Sequence, residues 1–191
     1  GSPVASDPED LSFAFRLAYD AEYLYFLARV QDDVLSSWDG NSGNPENWDH
    51  IKLYFNPDGL HNPLGRYGED ANMIRLNYGI REDHLASMET DEGYILEARI
   101  AWDSITPGGI TPGPLILMGF EVQVNDRDLG DGIEDWKAWA NDTDYQLSDV
   151  DTRKFGHLRL KEVEYKYVNK TGWEVIYADS QETPGSKDRL I

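Results

Sequence analysis

Apolar and polar residues alternate at every second position in eight segments of this 191-residue chain. Successive side chains of a β-strand point to opposite faces, so this period is typical of strands that bury one face. The alternation covers residues 11–19, 22–30, 48–55, 72–79, 93–102, 118–125, 135–140 and 155–160. We therefore predict that nearly all of the regular structure is strand.

Loops rich in Gly, Pro, Asn and Asp separate these segments, most clearly at 39–47, 56–65 and 106–114. Such residues favour turns, because Gly adopts positive φ, Pro fixes φ, and Asn and Asp bond to their own backbone. Many short strands joined in this way predict an all-β fold. We expect an antiparallel β-sandwich of two sheets with jelly-roll or immunoglobulin-like topology and long loops.

The length of the chain and its apolar content of 40% are sufficient for one domain with a core. We interpret residues 1–10 as a tag remnant and flexible lead, and 11–161 as the sandwich. The composition changes near residue 161. Residues 162–191 are therefore predicted to be a linker with one extra strand at 173–178, or the start of a following domain.

The formal net charge of −19 argues against nucleic acid or an anionic membrane surface as a partner. Both would have to be bound through Lys and Arg. No apolar run approaches the roughly 18 residues of a membrane span, so membrane insertion is not expected. The chain has no Cys, and its four His are scattered, so neither disulfides nor a zinc site is predicted.

Polar side chains line the sides of three predicted strands that face away from the core. Amides, guanidinium groups and carboxylates pair well with the vicinal hydroxyls of sugars. If the strands are neighbours, these residues form a binding face; otherwise they form an ordinary solvated sheet face with cross-strand pairs. The residues are His50, Lys52, Tyr54, Arg75, Asn77, Glu121, Gln123 and Asn125.

Three aromatic residues, Trp38, Trp48 and Tyr145, lie in loops near strand ends. Each ring offers an apolar plate with a polar tip, which suits contact with the CH face of a pyranose. A loop Trp can equally cover the core. We treat all three as candidate sugar-stacking residues and leave both interpretations open.

Acidic residues follow the strand 118–125 directly, and Asp126, Asp128 and Asp131 form one candidate calcium site. Calcium takes several oxygen ligands from loops, although this spacing is not that of an EF-hand. Further acidic pairs lie at Asp32-Asp33 and at Asp142/Asp144. Acid-rich loops are also common as soluble turns, so both explanations stay open for each cluster.

A catalytic role is not predicted from these residues. Carboxylate pairs occur throughout so acidic a chain, and no nucleophile-elbow motif accompanies its Ser, His and Asp residues. The alternative to sugar binding is a haem or electron-transfer domain, which would need a Met and a His as axial ligands in one cavity. An interaction domain without a sugar ligand is a further alternative.

Six segments in the same order resemble carbohydrate-binding module family 9, within the wider DOMON-like group of β-sandwiches. They are YDAEYLYFLARVQDD (19–33), WDHIKLYFNPDG (48–59), IRLNYG (74–79), GYILEARIAWDSI (93–105), MGFEVQVNDRD (118–128) and KFGHLRL (154–160). The resemblance implies a non-catalytic saccharide-binding sandwich, commonly with structural calcium, in a secreted, periplasmic or cell-surface protein that processes polysaccharides. It also implies covalent linkage to further domains.

The resemblance assigns sugar-binding roles to Arg75 and Asn77, which match an Arg-x-Asn-Tyr strand, and to Gln123 in the VQVND strand. Three positions depart from the family pattern: the two stacking positions and an acid on the sheet. The first stacking Trp of the family corresponds to Glu46, with Trp48 two places later, and a family acid on the sheet corresponds to Lys52.

Two expectations follow from these departures and from the tail. Near the second stacking position the only aromatic is Tyr145, and Lys52 beside Arg75 suggests an acidic sugar as ligand. The tail WEVIYADSQETPG (173–185) resembles the opening of a discoidin, or coagulation factor 5/8 C-type, domain.

Overall fold

The computed structural model describes residues 10–41, 43–57, 72–105, 111–113, 116–128, 135–141, 152–161, 174–175 and 177–179. Eleven strands lie in this part of the chain: β1 (Leu11–Tyr19), β2 (Tyr23–Asp32), β3 (His50–Asn56), β4 (Asn72–Asn77), β5 (Leu85–Thr90), β6 (Gly93–Ala101), β7 (Leu117–Asp126), β8 (Asp135–Ala138), β9 (Gly156–Arg159), β10 (Glu174–Val175) and β11 (Tyr177–Asp179). One short helix, α1 (Trp102–Ile105), follows β6.

The strands form two antiparallel sheets, which confirms the predicted β-sandwich. The first sheet has the order β10-β1-β2-β6-β5, and the second has the order β11-β9-β7-β3-β4. β8 pairs with β7 beside this path. β10 pairs with β1 and β11 pairs with β9, so the C-terminal segment adds a strand to each sheet.

The core lies between the two sheets and is filled by the apolar side of each strand. Aromatic rings join the sheets, since the ring centroid of Phe15 in β1 lies 6.0 Å from that of Phe120 in β7. Phe15 also stacks at 6.0 Å on Phe26 of the neighbouring strand β2. Tyr78 and Tyr94 stack at 4.6 Å near one end. Burial of apolar area at about 25 cal/mol per Å² is the main term that favours such packing.

β7 is the central strand of the second sheet. Along one edge it pairs with β3, and along the other it pairs with β9 over Leu117–Phe120 and with β8 over Gln123–Asp126. Between these two partners the Glu121 carboxylate accepts hydrogen bonds from the backbone of Ala140 and Asn141, at 2.9 and 2.8 Å. The Glu121 side chain thus takes the place of backbone pairing at the point where the partner of β7 changes from β9 to β8.

The backbone conformation at position 93, the first residue of β6, requires glycine. Its φ is +141°, and an added Cβ would lie 2.3 Å from the Val30 carbonyl oxygen and 2.9 Å from the Asp32 nitrogen. Only glycine adopts this region without strain. The close approach allows Asp32 at the end of β2 to donate its N–H to the Glu92 carbonyl.

The alternating pattern predicted the direction of each side chain in β3 but not its exposure. His50, Lys52 and Tyr54 point away from the core as expected, yet the whole strand is buried. At β3 the second sheet is therefore covered on both faces. Among the described residues no helix is long or apolar enough to cross a membrane.

Candidate functional site

Strand register brings the predicted polar residues together in rows across the second sheet. Lys52 of β3 lies opposite Arg75 of β4 on one side and opposite Gln123 of β7 on the other. The next row along the strands joins Asn77, His50 and Asn125 in the same way. We call these six residues the polar face.

A short 3-10 turn, Pro45–Asn47, contacts this face. Asn44 caps the turn by accepting the Glu46 N–H at 3.1 Å, and Pro45 occupies its first turn. The Asn77 side-chain amide donates to the Pro45 carbonyl at 2.7 Å. The contact fixes the turn on the polar face and explains part of the burial that the alternating pattern did not predict.

The same turn supplies a carboxylate to the two cations of the face. Oε1 of Glu46 accepts a hydrogen bond from Nη2 of Arg75 and lies 4.0 Å from Nζ of Lys52. Lys52 is buried, whereas the Arg75 and Glu46 side chains keep 21% and 39% of their surface exposed. A buried ammonium group is costly unless it is paired, so Glu46 offsets part of the cost of burying Lys52.

His50 is neutral and has a defined acceptor atom. Burial lowers its pKa to about 3, with the charges of Lys52 and Arg75 acting in the same direction. Its Nδ1 lies 2.6 Å from the Trp48 carbonyl oxygen, which can only accept, so Nδ1 carries the proton. Nε2 therefore offers a lone pair inside the face.

Several buried polar atoms at the polar face have no hydrogen-bond partner in the described part of the chain. They are Trp48 Nε1, His50 Nε2, Arg75 Nε and Gln123 Oε1. The set includes both donors and acceptors. The large majority of buried side-chain polar atoms in proteins are paired, so four unpaired atoms in one place call for an explanation.

The three aromatic candidates have different positions. Trp48 directly follows the turn, is partly buried, and has its indole N–H among the unpartnered atoms. Trp38 is also partly buried, and its backbone N–H donates to the Tyr78 carbonyl. Tyr145 lies outside the described residues, as does Asp131 of the proposed calcium set.

A second group of charged residues, all of them acidic, lies beside the polar face at the adjacent ends of β3 and β7. Carboxylate oxygens converge within 4.8 Å in three overlapping groups of three residues. We call their members the acid cluster: Asp10, Asp32, Asp33, Asp49, Asp126 and Asp128. The Asp32-Asp33 pair, predicted as separate from Asp126 and Asp128, is thus part of the same cluster.

Burial and mutual repulsion raise the pKa of the buried members, to about 7 for Asp32, about 8 for Asp49 and about 9 for Asp126. Three carboxylate oxygens, on Asp32, Asp126 and Asp128, have no hydrogen-bond partner among the described residues. Carboxyl oxygens at this density fit a calcium ion, which takes six to eight oxygen ligands and displaces bound protons.

Sequence reasoning missed Asp10 and Asp49 as members of the acid cluster. Asp49 precedes β3, and its two oxygens accept the N–H groups of Ser36 and Arg127, at 2.5 and 3.0 Å. One signal could have identified Asp49. It directly precedes β3, Asp126 is the last residue of β7, and these two strand ends lie side by side because β3 and β7 pair. Glu46 was noted only as the position where the family has its first stacking Trp. Its pairing with Arg75 was not predicted.

The outward face of β3, β4 and β7 thus carries amides and an Arg, and Trp48 follows the turn that contacts this face. Residues 2–163 match the family model described as "Carbohydrate family 9 binding domain-like". The chain therefore belongs to carbohydrate-binding module family 9, as the sequence resemblance predicted.

Known relatives and solved structures agree with this membership. The chain is 32% identical over 155 residues to the endo-1,4-beta-xylanase A of Thermotoga neapolitana, and 30% identical to the exoglucanase XynX of Acetivibrio thermocellus. These matches cover 76% of this chain but only 14% and 13% of those proteins. A family 9 module of Caldicellulosiruptor kristjanssonii in complex with cellotriose aligns with a TM-score of 0.65 at 25% identity, covering 90% of this chain and 86% of that one.

Proposed function

We propose that this domain binds the end or a short stretch of a β-1,4-linked polysaccharide at the polar face, without catalysing its cleavage. The observation that carries the proposal is the convergence of Arg75, Asn77 and Gln123 on one face, with unpartnered polar atoms at Arg75, His50 and Gln123. Sugar hydroxyls both donate and accept, so they can satisfy a mixed set of this kind.

The relatives indicate the class of polysaccharide. The first relatives are a xylanase and an exoglucanase by name, and the aligned solved module was determined with cellotriose. Xylan and cellulose share equatorial β-1,4 linkages and present similar hydroxyl pairs. We therefore infer that the domain serves a larger, secreted polysaccharide-degrading enzyme as its binding module, and that catalysis lies elsewhere in that protein.

We also propose that calcium occupies the acid cluster and has a structural role. The cluster draws Asp10, Asp32, Asp49 and Asp126 together from the ends of both sheets. An ion bound only in the folded state would stabilise the sandwich and fix the ends of β3 and β7. Those ends carry His50 and Asn125 of the polar face, so the ion would also position the binding residues.

Isothermal titration calorimetry with cello- and xylo-oligosaccharides, in buffer that contains calcium, tests the binding function. We expect Arg75→Ala to weaken binding by roughly tenfold or more, since hydrogen bonds to charged groups contribute about 1.5–3 kcal/mol. Gln123→Ala should weaken binding by roughly two- to tenfold, since hydrogen bonds between neutral groups contribute about 0.5–1.5 kcal/mol. Retention of the thermal unfolding midpoint shows that the variants fold.

Matched controls exist on the first sheet. Arg29→Ala removes an exposed Arg, and Gln31→Ala removes an amide, from the outward side of β2. Both should bind saccharide like the unmodified protein. Equal losses in the two pairs, or no loss with Arg75→Ala and Gln123→Ala, would show that the polar face is not the binding site.

A further inference from the structure

The groups that a ligand meets first at the polar face are Glu46 and Arg75. Their side chains are 39% and 21% exposed, whereas Lys52 beneath them is 3% exposed. Gln123 and His50 are fully buried. Among these residues, the Glu46–Arg75 pair is therefore the part of the face that is most accessible from solvent.

One carboxylate oxygen, Oε1 of Glu46, serves both Arg75 and Lys52. Two cations and one carboxylate leave a formal charge of +1 in this group, where the cations alone would carry +2. A carboxylate on the ligand would have to take the position that Glu46 already fills. Glu46 thus halves, within the protein, the positive charge that suggested an acidic sugar as ligand.

Backbone contacts hold Glu46 in this position. The turn is capped by Asn44, its first residue is Pro45 with a fixed φ, and its Pro45 carbonyl accepts from Asn77. Because these contacts hold the backbone of the turn, little backbone freedom is lost when Glu46 pairs with Arg75. Beside the guanidinium it also offers an acceptor next to a donor, which matches two neighbouring hydroxyls of a neutral sugar.

We infer that Glu46 is the specificity-determining residue of this site and selects neutral over anionic saccharides. The inference rests on the proposed binding of saccharide at the polar face. Glu46 acts by occupying the anion position over Arg75 and Lys52 and by repelling a ligand carboxylate that would lie close to it. Like charges placed together at an interface are strongly unfavourable.

A pair of ligands that differ only in charge provides the test. Cellotriose and the β-1,4-linked trimer of glucuronic acid share linkage and ring geometry, but the second carries a carboxylate at C6 of each ring. Binding of both to the unmodified protein and to Glu46→Gln is measured by calorimetry in calcium-containing buffer. We expect the unmodified protein to prefer cellotriose, and Glu46→Gln to shift the ratio of the two affinities toward the uronate by about tenfold.

Glu92→Gln is the matched control, because Glu92 pairs with Arg29 on the outward side of the first sheet and its loss changes the net charge equally. This variant should leave the affinity ratio unchanged. Glu46→Asp, which keeps the charge on a shorter side chain, should shift the ratio less than Glu46→Gln. Since Glu46 is partly exposed, both variants are expected to fold, and their unfolding midpoints verify this.

The outcomes separate the two proposals. Cellotriose binding that depends on Arg75 and Gln123, with the same affinity ratio in Glu46→Gln and Glu92→Gln, overturns the role of Glu46 alone. Failure of the unmodified protein to bind either trimer, or binding that ignores Arg75 and Gln123, overturns the proposed site and this inference together. A shift confined to Glu46→Gln supports both.

Discussion

The two sheets of this sandwich present outward faces of different character. On the first sheet, Arg29 and Glu92 pair at 2.6 Å with 64% and 61% of their side chains exposed, and Glu97 and Arg99 of β6 are also exposed. On the second sheet, the outward face is buried and holds Lys52, His50 and Gln123. Both faces arise from strands with the same alternating pattern.

The comparison shows that the alternating pattern predicts the direction of a side chain. The residue types on a face indicate whether that face is solvated or needs polar partners. Charged residues with long, flexible side chains suit a solvated face, where ion pairs contribute little. Amides and a neutral His have fixed polar geometry, and they are costly to bury without partners. Their concentration on one face therefore marks a place where a polar ligand or another part of the chain must supply those partners.

The largest difference between the faces should appear when an acid is removed from each. Glu121 of β7 is buried and accepts N–H groups from Val122, Ala140 and Asn141. Glu121→Ala leaves these donors without acceptors and should destabilise the fold by about 3 kcal/mol or more. Glu97→Ala on the exposed face should change stability by less than about 0.5 kcal/mol. Chemical denaturation measures the free energy of unfolding of both variants. Equal losses would show that the outward face of the second sheet is not buried at Glu121.

Removal of calcium should have the next largest effect on stability. At a free calcium concentration of 100 times Kd, the ion contributes about 2.7 kcal/mol to unfolding. For a domain of this size we expect a chelator to lower the unfolding midpoint by roughly 5–10 °C. A midpoint that does not respond to chelator, measured by scanning calorimetry, would contradict calcium binding at the acid cluster.

The calcium effect should increase with pH. Asp32, Asp49 and Asp126 have pKa values raised to about 7, 8 and 9, so the folded chain without metal binds protons that the unfolded chain has released. Stability in chelator should therefore fall as pH rises from about 5 to 8. Calcium replaces those protons, so its stabilisation should be greater at pH 8 than at pH 5. Parallel denaturation curves at the two pH values check the sign.

Binding should distinguish two Asn residues on the same strand. Asn77 and Asn72 of β4 each donate a side-chain N–H to a backbone carbonyl, of Pro45 and Ser104, at 2.7 and 2.6 Å. Asn77→Ala should weaken saccharide binding by about tenfold, because it removes a polar-face amide and the anchor of the turn. Asn72→Ala should leave affinity unchanged. Similar losses of saccharide affinity in both variants would mean that destabilisation of β4 weakens binding, and not the removal of a polar-face residue.

The smallest effect is expected at the exposed ion pair of the first sheet. Replacement of Arg29 or Glu92 by Ala should cost less than about 1 kcal/mol of stability, because solvent screens exposed pairs. Neither replacement should alter saccharide affinity. A loss of binding in Arg29→Ala would place part of the site on the first sheet and would remove the contrast between the two faces.

Much of the fold could be predicted from the sequence because strand alternation is a local property. The pattern of β3, β4 and β7 identified the outward residues, and family resemblance identified Arg75, Asn77 and Gln123 among them. Their pairing across strands required register, which depends on contacts between segments that are distant in the chain. The condition left open by the sequence, that these strands are neighbours, is met by the Lys52–Arg75 and Lys52–Gln123 pairs.

The exposure of the face and the membership of the acid cluster could not be predicted in the same way. Burial of Lys52 depends on the turn Pro45–Asn47, a loop whose position over the sheet no periodicity encodes. The acid cluster combines Asp10, Asp32 and Asp49 with Asp126 from four separate segments. In a chain with 36 acidic residues, composition alone cannot identify the few that converge.

Side-chain amide resonances provide the most direct test of the central claim, that the outward face of β3, β4 and β7 binds saccharide. In ¹⁵N-labelled protein titrated with cellotriose, we predict that the side-chain amides of Asn77 and Gln123 shift in a saturable manner. The Gln31 amide on the opposite sheet should not move. Saturable shifts at Gln31 and its neighbours, with Asn77 and Gln123 unchanged, would contradict the assignment of the binding site.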